Sequence, residues 1–165
     1  TGELGSAALG LAVIQGRHTG LEPGLEACVQ RLHRPEPRVG AGLLLRGVAS
    51  AAIDISDGLL TDLNHVLRAS NVGADIELAG LPMGTALMAL SSESDRWQFA
   101  LAGGDDYELC YTVPAAQAAG LAARLQASAC AATCIGTVTA GSGARWFSAA
   151  GTMVDFSGST GYQHF

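Results

Sequence analysis

The segment Ile53-Asp54-Ile55-Ser56-Asp57-Gly58-Leu59 gathers oxygen donors where an apolar strand gives way to a helix. Two carboxylates three residues apart at such a junction can face one ligand. Ser56 adds a hydroxyl, and a helix expected to begin at about Asp57 adds backbone N–H groups that favour an anion. Two aspartates together with phosphate oxygens form the hard-oxygen environment that suits Mg²⁺. A plainer reading of the same residues makes Ser56 or Asp57 the N-cap of that helix. Asp54 fits the plainer reading less well, because an acid inside an apolar strand must be paired or liganded.

A second segment, Ala102-Gly103-Gly104-Asp105-Asp106-Tyr107-Glu108-Leu109, places three acids in a short span after a glycine pair. Paired glycines allow a tight turn or a close backbone approach to a ligand. Asp105 and Asp106 could then hold a cationic substrate or a metal; the alternative is a turn carrying solvated acids. In the third segment, Gly161-Tyr162-Gln163-His164-Phe165, Tyr162 could stack on a flat cationic ring, or the aromatics could dock the end of the chain on the core.

The remaining chemistry-bearing residues have simpler readings. Cys130 and Cys134 lack metal-site spacing and are expected in the core, as are Cys28 and Cys110, all four as free thiols. His18, His33 and His65 are expected at the surface. Gly40-Ala41-Gly42 lacks the third glycine and the preceding strand of a dinucleotide loop. Ser91 to Asp95 is a loop with a helix cap. No serine or cysteine has a convincing base beside it, so no catalytic nucleophile is expected.

The elements that must position these groups follow from periodicity. Apolar residues predict helices over 6–15 with Ser6 as N-cap, over a face of Leu25, Cys28, Val29 and Leu32, over 39–48, and from Leu59 to near Asn71. Pro35 and Pro37 stop the second of these. A short helix is expected over 96–102, and an alanine-rich one from Pro114 to about Ala129. Strands are expected over 51–55, 74–78, 107–113, 133–139 and 145–148, with 82–90 left open between helix and strand. Helices and strands interleave without a phosphate-loop βαβ series. The expected architecture is an α/β (α+β) sandwich of one domain over residues 1–165, a mixed sheet with helices on its faces.

Composition narrows the function. The net charge is −6, and all nine basic residues are arginine. An acidic chain argues against nucleic acid as a partner, since that binding needs an excess of cations. Absence of lysine excludes a P-loop site and Schiff-base catalysis. No apolar run is long enough for a membrane span, and the start of the chain lacks the features of a signal peptide. A cytoplasmic location and a fragment or processed chain are the expectations, since no initiator Met is present.

Five motifs, in order, carry a resemblance over essentially the whole chain: Thr1-Gly2-x-Leu4-Gly5-x-Ala7-Ala8-x-Gly10-Leu11; His33-Arg34-x3-Pro37-Arg38; Ile53 to Leu59; Gly103 to Leu109; and Gly161-Tyr162-x-His164-Phe165. Together they resemble the C-terminal half of the thiamine-monophosphate kinase family. The resemblance implies a PurM-like C-terminal domain whose upstream partner is an N-terminal ATP- and metal-binding domain, in a homodimer. It implies phosphoryl transfer from ATP to thiamine phosphate with Mg²⁺, an activity this half alone would lack. By position, Asp54 and Asp57 resemble Mg²⁺ ligands and Ser56 an ATP contact. Asp105, where many members have Glu, resembles a substrate-binding acid, with Glu108 as the alternative. Tyr162 resembles the aromatic at the thiamine end. Phosphoryl transfer fits the composition: it needs positioning and charge neutralisation, and without lysine the phosphates would be met by metal ions held on carboxylates. Direct in-line attack by the substrate phosphate is expected. The same fold carries other ATP-using enzymes of the superfamily, of the selenophosphate synthetase, hydrogenase-maturation and purine cyclo-ligase types, and a non-catalytic assembly module is the further alternative.

Overall fold

A computed structural model describes residues 1–21, 23–90 and 92–156. Tyr162 and the rest of the terminal motif lie outside the described residues.

Seven helices and six strands alternate along the described chain: α1 (Ser6–Ile14), α2 (Leu25–His33), α3 (Val39–Leu45), β1 (Ala51–Ile55), α4 (Leu59–Ser70), β2 (Gly73–Glu77), α5 (Thr85–Ala89), α6 (Glu93–Ala102), β3 (Glu108–Thr112), α7 (Ala115–Ala127), β4 (Gly136–Thr139), β5 (Gly143–Phe147) and β6 (Met153–Val154). The strands form an antiparallel ribbon, β1–β3, and a four-stranded sheet in the order β4-β2-β5-β6. That sheet is mixed: β2 runs parallel to β5 and antiparallel to β4. The expected mixed α/β architecture is therefore present, divided between a ribbon and a sheet.

The ribbon separates two apolar clusters. The larger holds Ile55, Leu59, Leu63, Leu67, Leu87 and Leu101, with Trp146 brought from the four-stranded sheet. The smaller packs α3 against α7 through Ala41, Leu45, Leu121 and Leu125. Strand β3 serves both by its two-residue alternation: Cys110 packs against the larger cluster, and Leu109 and Tyr111 against the smaller. Each fully buried leucine contributes about 2 kcal/mol of transfer free energy, so the paired clusters fix the ribbon from both sides.

Several boundaries differ from the sequence expectation. Helix α1 has Gly5, at φ 80°, as its N-cap, and Ser6 is its first, buried residue with no side-chain cap bond. The cap comes from far away in sequence: Asp106 accepts the N–H of Gly5 at 2.6 Å and of Ala7 at 3.3 Å. The open segment 82–90 contains a helix, α5. Helix α6 starts three residues before the expected Arg96, where Ser92 accepts the N–H of Asp95. Strand β4 starts at Gly136 and not at Thr133. The four thiols are free, but only Cys28 and Cys130 are buried; Cys110 is half-buried and Cys134 is exposed, so the core expectation fails for Cys134. His33 and His65 are exposed as expected, and His18 is half-buried.

Candidate functional site

Strand β1 carries Asp54 on its exposed side and buries Ile55 against the larger cluster. An acid in this strand therefore meets solvent by alternation, so burial does not require Asp54 to be paired or liganded, as the sequence suggested. Beyond Ile55 the chain turns through Ser56 and Asp57, both half-buried, into α4. The helix begins at Leu59, and its N-cap is Gly58 at φ 98°, a left-handed conformation open to glycine. The N-cap position is therefore held by Gly58 and not by Ser56 or Asp57.

The second acidic segment is stitched onto this turn. Tyr107 donates its N–H to the carbonyl of Ile55, and Asp105 donates to that of Ser56, both at 2.9 Å. Gly104 permits the approach: a Cβ there would stand 2.4 Å from the Ser56 carbonyl oxygen. Asp105 and Tyr107 take positive φ angles of 67° and 50°, uncommon for residues with side chains. The two motifs thus form one surface bearing Asp54, Ser56, Asp57, Asp105 and Tyr107. The Tyr107 hydroxyl lies 3.4 Å from Asp105, a long hydrogen bond. Its phenol is pushed above the usual range, chiefly by the Asp105 charge and then by burial, with Asp54 and Asp57 adding to the effect. The surface therefore carries a shared negative field.

The remaining acids are committed inside. Asp106 is 4% exposed and serves as the remote cap of α1. Its carboxyl is pushed up to about 7, chiefly by burial, although the two backbone N–H bonds oppose the shift. Glu108, 1% exposed, accepts a two-pronged contact from Arg38 at 2.7 Å, one from Arg31 at 2.6 Å and the Thr1 hydroxyl at 2.8 Å. Burial works to raise its titration, but the bonds from Arg38, Thr1 and Arg31 outweigh it and hold the carboxyl below its ordinary value. The reading of the Gly-Gly-Asp-Asp segment as a turn of solvated acids fails for Asp106 and Glu108. Neither is available to a ligand, which leaves Asp105 as the acid of this segment facing the surface.

One participant is not singled out by the sequence motifs. Asp62, in the first turn of α4 and 3% exposed, accepts the N–H groups of Ser56 at 2.9 Å and of Asp57 at 3.0 Å through one oxygen, Oδ2. Those two N–H groups, which precede the helix, are consequently not open to an anion. The signal for Asp62 was an acid in the first turn of a helix following an oxygen-rich loop.

Beside Asp54 and Tyr107 lies a cavity of about 480 Å³ whose other walls include Pro35, Pro37, Val39 and Leu109. Arg38, held by Glu108, fixes the proline-bearing segment against the ribbon.

Among the described residues, no group of three or more His, Cys, Asp or Glu side chains could hold a metal ion by itself. Asp54, at the exposed side of β1, and Asp57, in the turn that follows, offer carboxylate oxygens of the kind a divalent cation takes, its other ligands coming from elsewhere. No helix of the described residues is long and apolar enough to cross a membrane.

Comparison with known proteins matches residues 1–147 to the family model described as AIR synthase related protein, C-terminal domain. The chain is 40% identical over 166 aligned residues to the thiamine-monophosphate kinase of Salmonella typhimurium, covering all of this chain and 51% of that protein. With the Escherichia coli thiamine-monophosphate kinase it shares 42% identity, over 85% of this chain and 43% of the relative. The chain thus spans about half the length of these curated relatives. The crystal structure of thiamine-monophosphate kinase from Stenotrophomonas maltophilia superposes with a TM-score of 0.81 at 41% identity, over 88% of this chain and 48% of that one. The structure described as AaThiL complexed with AMPPCP and TMP gives a TM-score of 0.76 at 30% identity, covering all of this chain and 50% of that one. A hydrogenase maturation protein of E. coli, HypE, matches at 17% identity with a TM-score of 0.70, a likeness of fold alone.

Proposed function

Because the chain belongs to the AIR synthase related C-terminal domain family, we propose that it forms the C-terminal half of an ATP-dependent kinase that converts thiamine phosphate to thiamine diphosphate. The observation that carries this reading is the stitching of the two acidic segments into one surface. Its support is the similarity to thiamine-monophosphate kinases along the whole chain, one of them in complex with the ATP analogue AMPPCP and TMP.

In this proposal Asp54 and Asp57 hold Mg²⁺, and Ser56 contacts ATP. A bound Mg²⁺ supplies neutralisation of phosphate charge. Asp105 faces the cationic end of thiamine phosphate, and its hydrogen bond from Tyr107 orients it. Tyr162, outside the described residues, is assigned to the thiamine ring. The substrate phosphate attacks in line, so no protein nucleophile is needed. The upstream half supplies the remaining ligands, the working unit is a homodimer, and the enzyme is cytoplasmic.

Purified full-length enzyme given ATP, Mg²⁺ and thiamine phosphate should yield thiamine diphosphate and ADP. The 165-residue chain alone should yield none. Turnover by the isolated chain would contradict the assignment of half the site to the upstream domain. Absence of turnover by the full-length enzyme would remove the kinase reading.

A further inference from the structure

Resting on that reading, we propose that Asp62 is a positioning residue: it locks the Asp54–Asp57 turn from behind and thereby sets the two carboxylates for a divalent cation. An acid in the first turn of a helix ordinarily serves that helix's own N–H groups or its dipole. Asp62 does something else. Its Oδ2 reaches five and six residues upstream, to the N–H groups of Asp57 and Ser56. Both donors precede the helix and belong to residues of the proposed site. The contact is local but not helical, and it fixes the backbone on which Ser56 and Asp57 are mounted.

The choice of an acid here is costly in the chain by itself. Asp62 is 3% exposed, so its charge is removed from water. Asp62 thus places a third carboxylate behind the turn that carries Asp57 and follows Asp54, where like charges repel. A cation between Asp54 and Asp57 reverses the sign of that interaction: the buried charge then attracts what the outer pair holds. Partners behind metal ligands orient them and tune their affinity in this manner. A purely structural tie could be made by a neutral acceptor at less cost. Gly58 adds a constraint on the same turn, since a Cβ there would stand 2.8 Å from the Leu101 carbonyl oxygen. The turn is therefore fixed by Asp62 on its amide side and by close backbone packing at its end.

The test is direct titration of Mn²⁺ into the full-length enzyme in the presence of AMPPCP, with free Mn²⁺ followed by electron paramagnetic resonance. Asp62→Asn keeps an acceptor oxygen but loses the charge, and should weaken Mn²⁺ binding by about tenfold. Asp62→Ala loses both and should approach about 100-fold. A merely structural role would lower the melting temperature of both variants and leave the Mn²⁺ isotherms superimposed on the wild type; that result overturns the proposal. Should Asp62→Ala fail to fold, the Asp62→Asn isotherm alone decides in the same way. Asp54→Asn separates the two levels of the argument. If Asp54→Asn weakens Mn²⁺ binding and the Asp62 variants do not, only the role of Asp62 falls. If Asp54→Asn also leaves the isotherm unmoved, the metal assignment of the site falls with it.

Discussion

The outer and inner sides of the joined acidic segments hold the same side chains in opposite circumstances. On the outer side, Asp54 is exposed, and Asp57 and Asp105 are half-buried. On the inner side, Asp62, Asp106 and Glu108 are all buried, and each is fully engaged. Asp62 holds the site's own turn, Asp106 caps α1, and Glu108 gathers Arg31, Arg38 and Thr1. The difference lies in what each carboxylate meets. The inner ones satisfy backbone N–H groups or guanidinium charges: Asp106 and Glu108 serve the fold, and Asp62 holds the turn of the proposed site. The outer ones lie around Tyr107, where the charges of Asp105, Asp54 and Asp57 act in the same direction on its phenol. Burial alone does not mark function here; the buried acids are the scaffold and the accessible ones are the proposed ligands.

The sharpest way to break this contrast is to neutralise one acid from each side. Asp54→Asn or Asp57→Asn in the full-length enzyme should lower turnover about 100-fold or more with the melting temperature nearly unchanged, as expected for loss of a metal ligand. Steady-state assays with a thermal scan on the same samples check it, and near-normal turnover in both variants would refute the assignment. On the inner side, Glu108→Ala should act on stability first. It removes the carboxylate shared by Arg38, 11% exposed, and Arg31, 29% exposed, and leaves Arg38 with the exposed Glu36 as its ion-pair partner. Breaking a buried ion pair costs about 3–5 kcal/mol, and partial exposure of the arginines places this case near about 3 kcal/mol. Urea denaturation of the chain measures it.

A smaller effect sharpens the comparison within the inner side. Asp106 is raised to about 7 in the folded chain from an ordinary 3.8. Between those values the folded state binds more protons than the unfolded one, so this group makes stability fall as pH rises through that window. Glu108 has the opposite sign: its carboxyl is lowered, so its contribution is present above 4.5 and is lost as pH falls. Asp106→Asn should therefore flatten the decline in stability between about pH 4 and about pH 7, leaving the acid-side loss due to Glu108 in place. Urea midpoints collected across that range provide the check, and an unchanged profile would show that Asp106 stays ionised throughout.

Much of this arrangement was legible in the residues themselves. The strand of Ala51–Ile55 and the helix over Leu59, Leu63 and Leu67 follow from spacing, and Asn71 ends that helix in the left-handed conformation at φ 53°. Ile53 to Leu59 and Gly103 to Leu109 stood out as oxygen-rich turns, and the structure joins them. Three things were not legible, for physical reasons. The Asp106 cap of α1 spans 101 residues to Gly5, and no local pattern encodes a contact of that separation. Glu108 carries the same charge as Asp105, and only the three-dimensional approach of Arg38, 70 residues away, distinguishes a buried ion pair from a ligand. Asp62 resembles an ordinary helix-start acid until its Oδ2 is found on the preceding turn. The Thr1-Gly2 and Pro37-Arg38 motifs, which carried resemblance but no chemistry, acquire a physical role as parts of the Glu108 cluster.

The most direct test of the central claim is a crystal structure of the intact enzyme with AMPPCP and Mn²⁺, with the ions located by anomalous scattering. The account predicts manganese bridging the Asp54 and Asp57 carboxylates to the phosphate oxygens of the nucleotide. Manganese bound to the nucleotide with both side chains turned away from it would contradict the account.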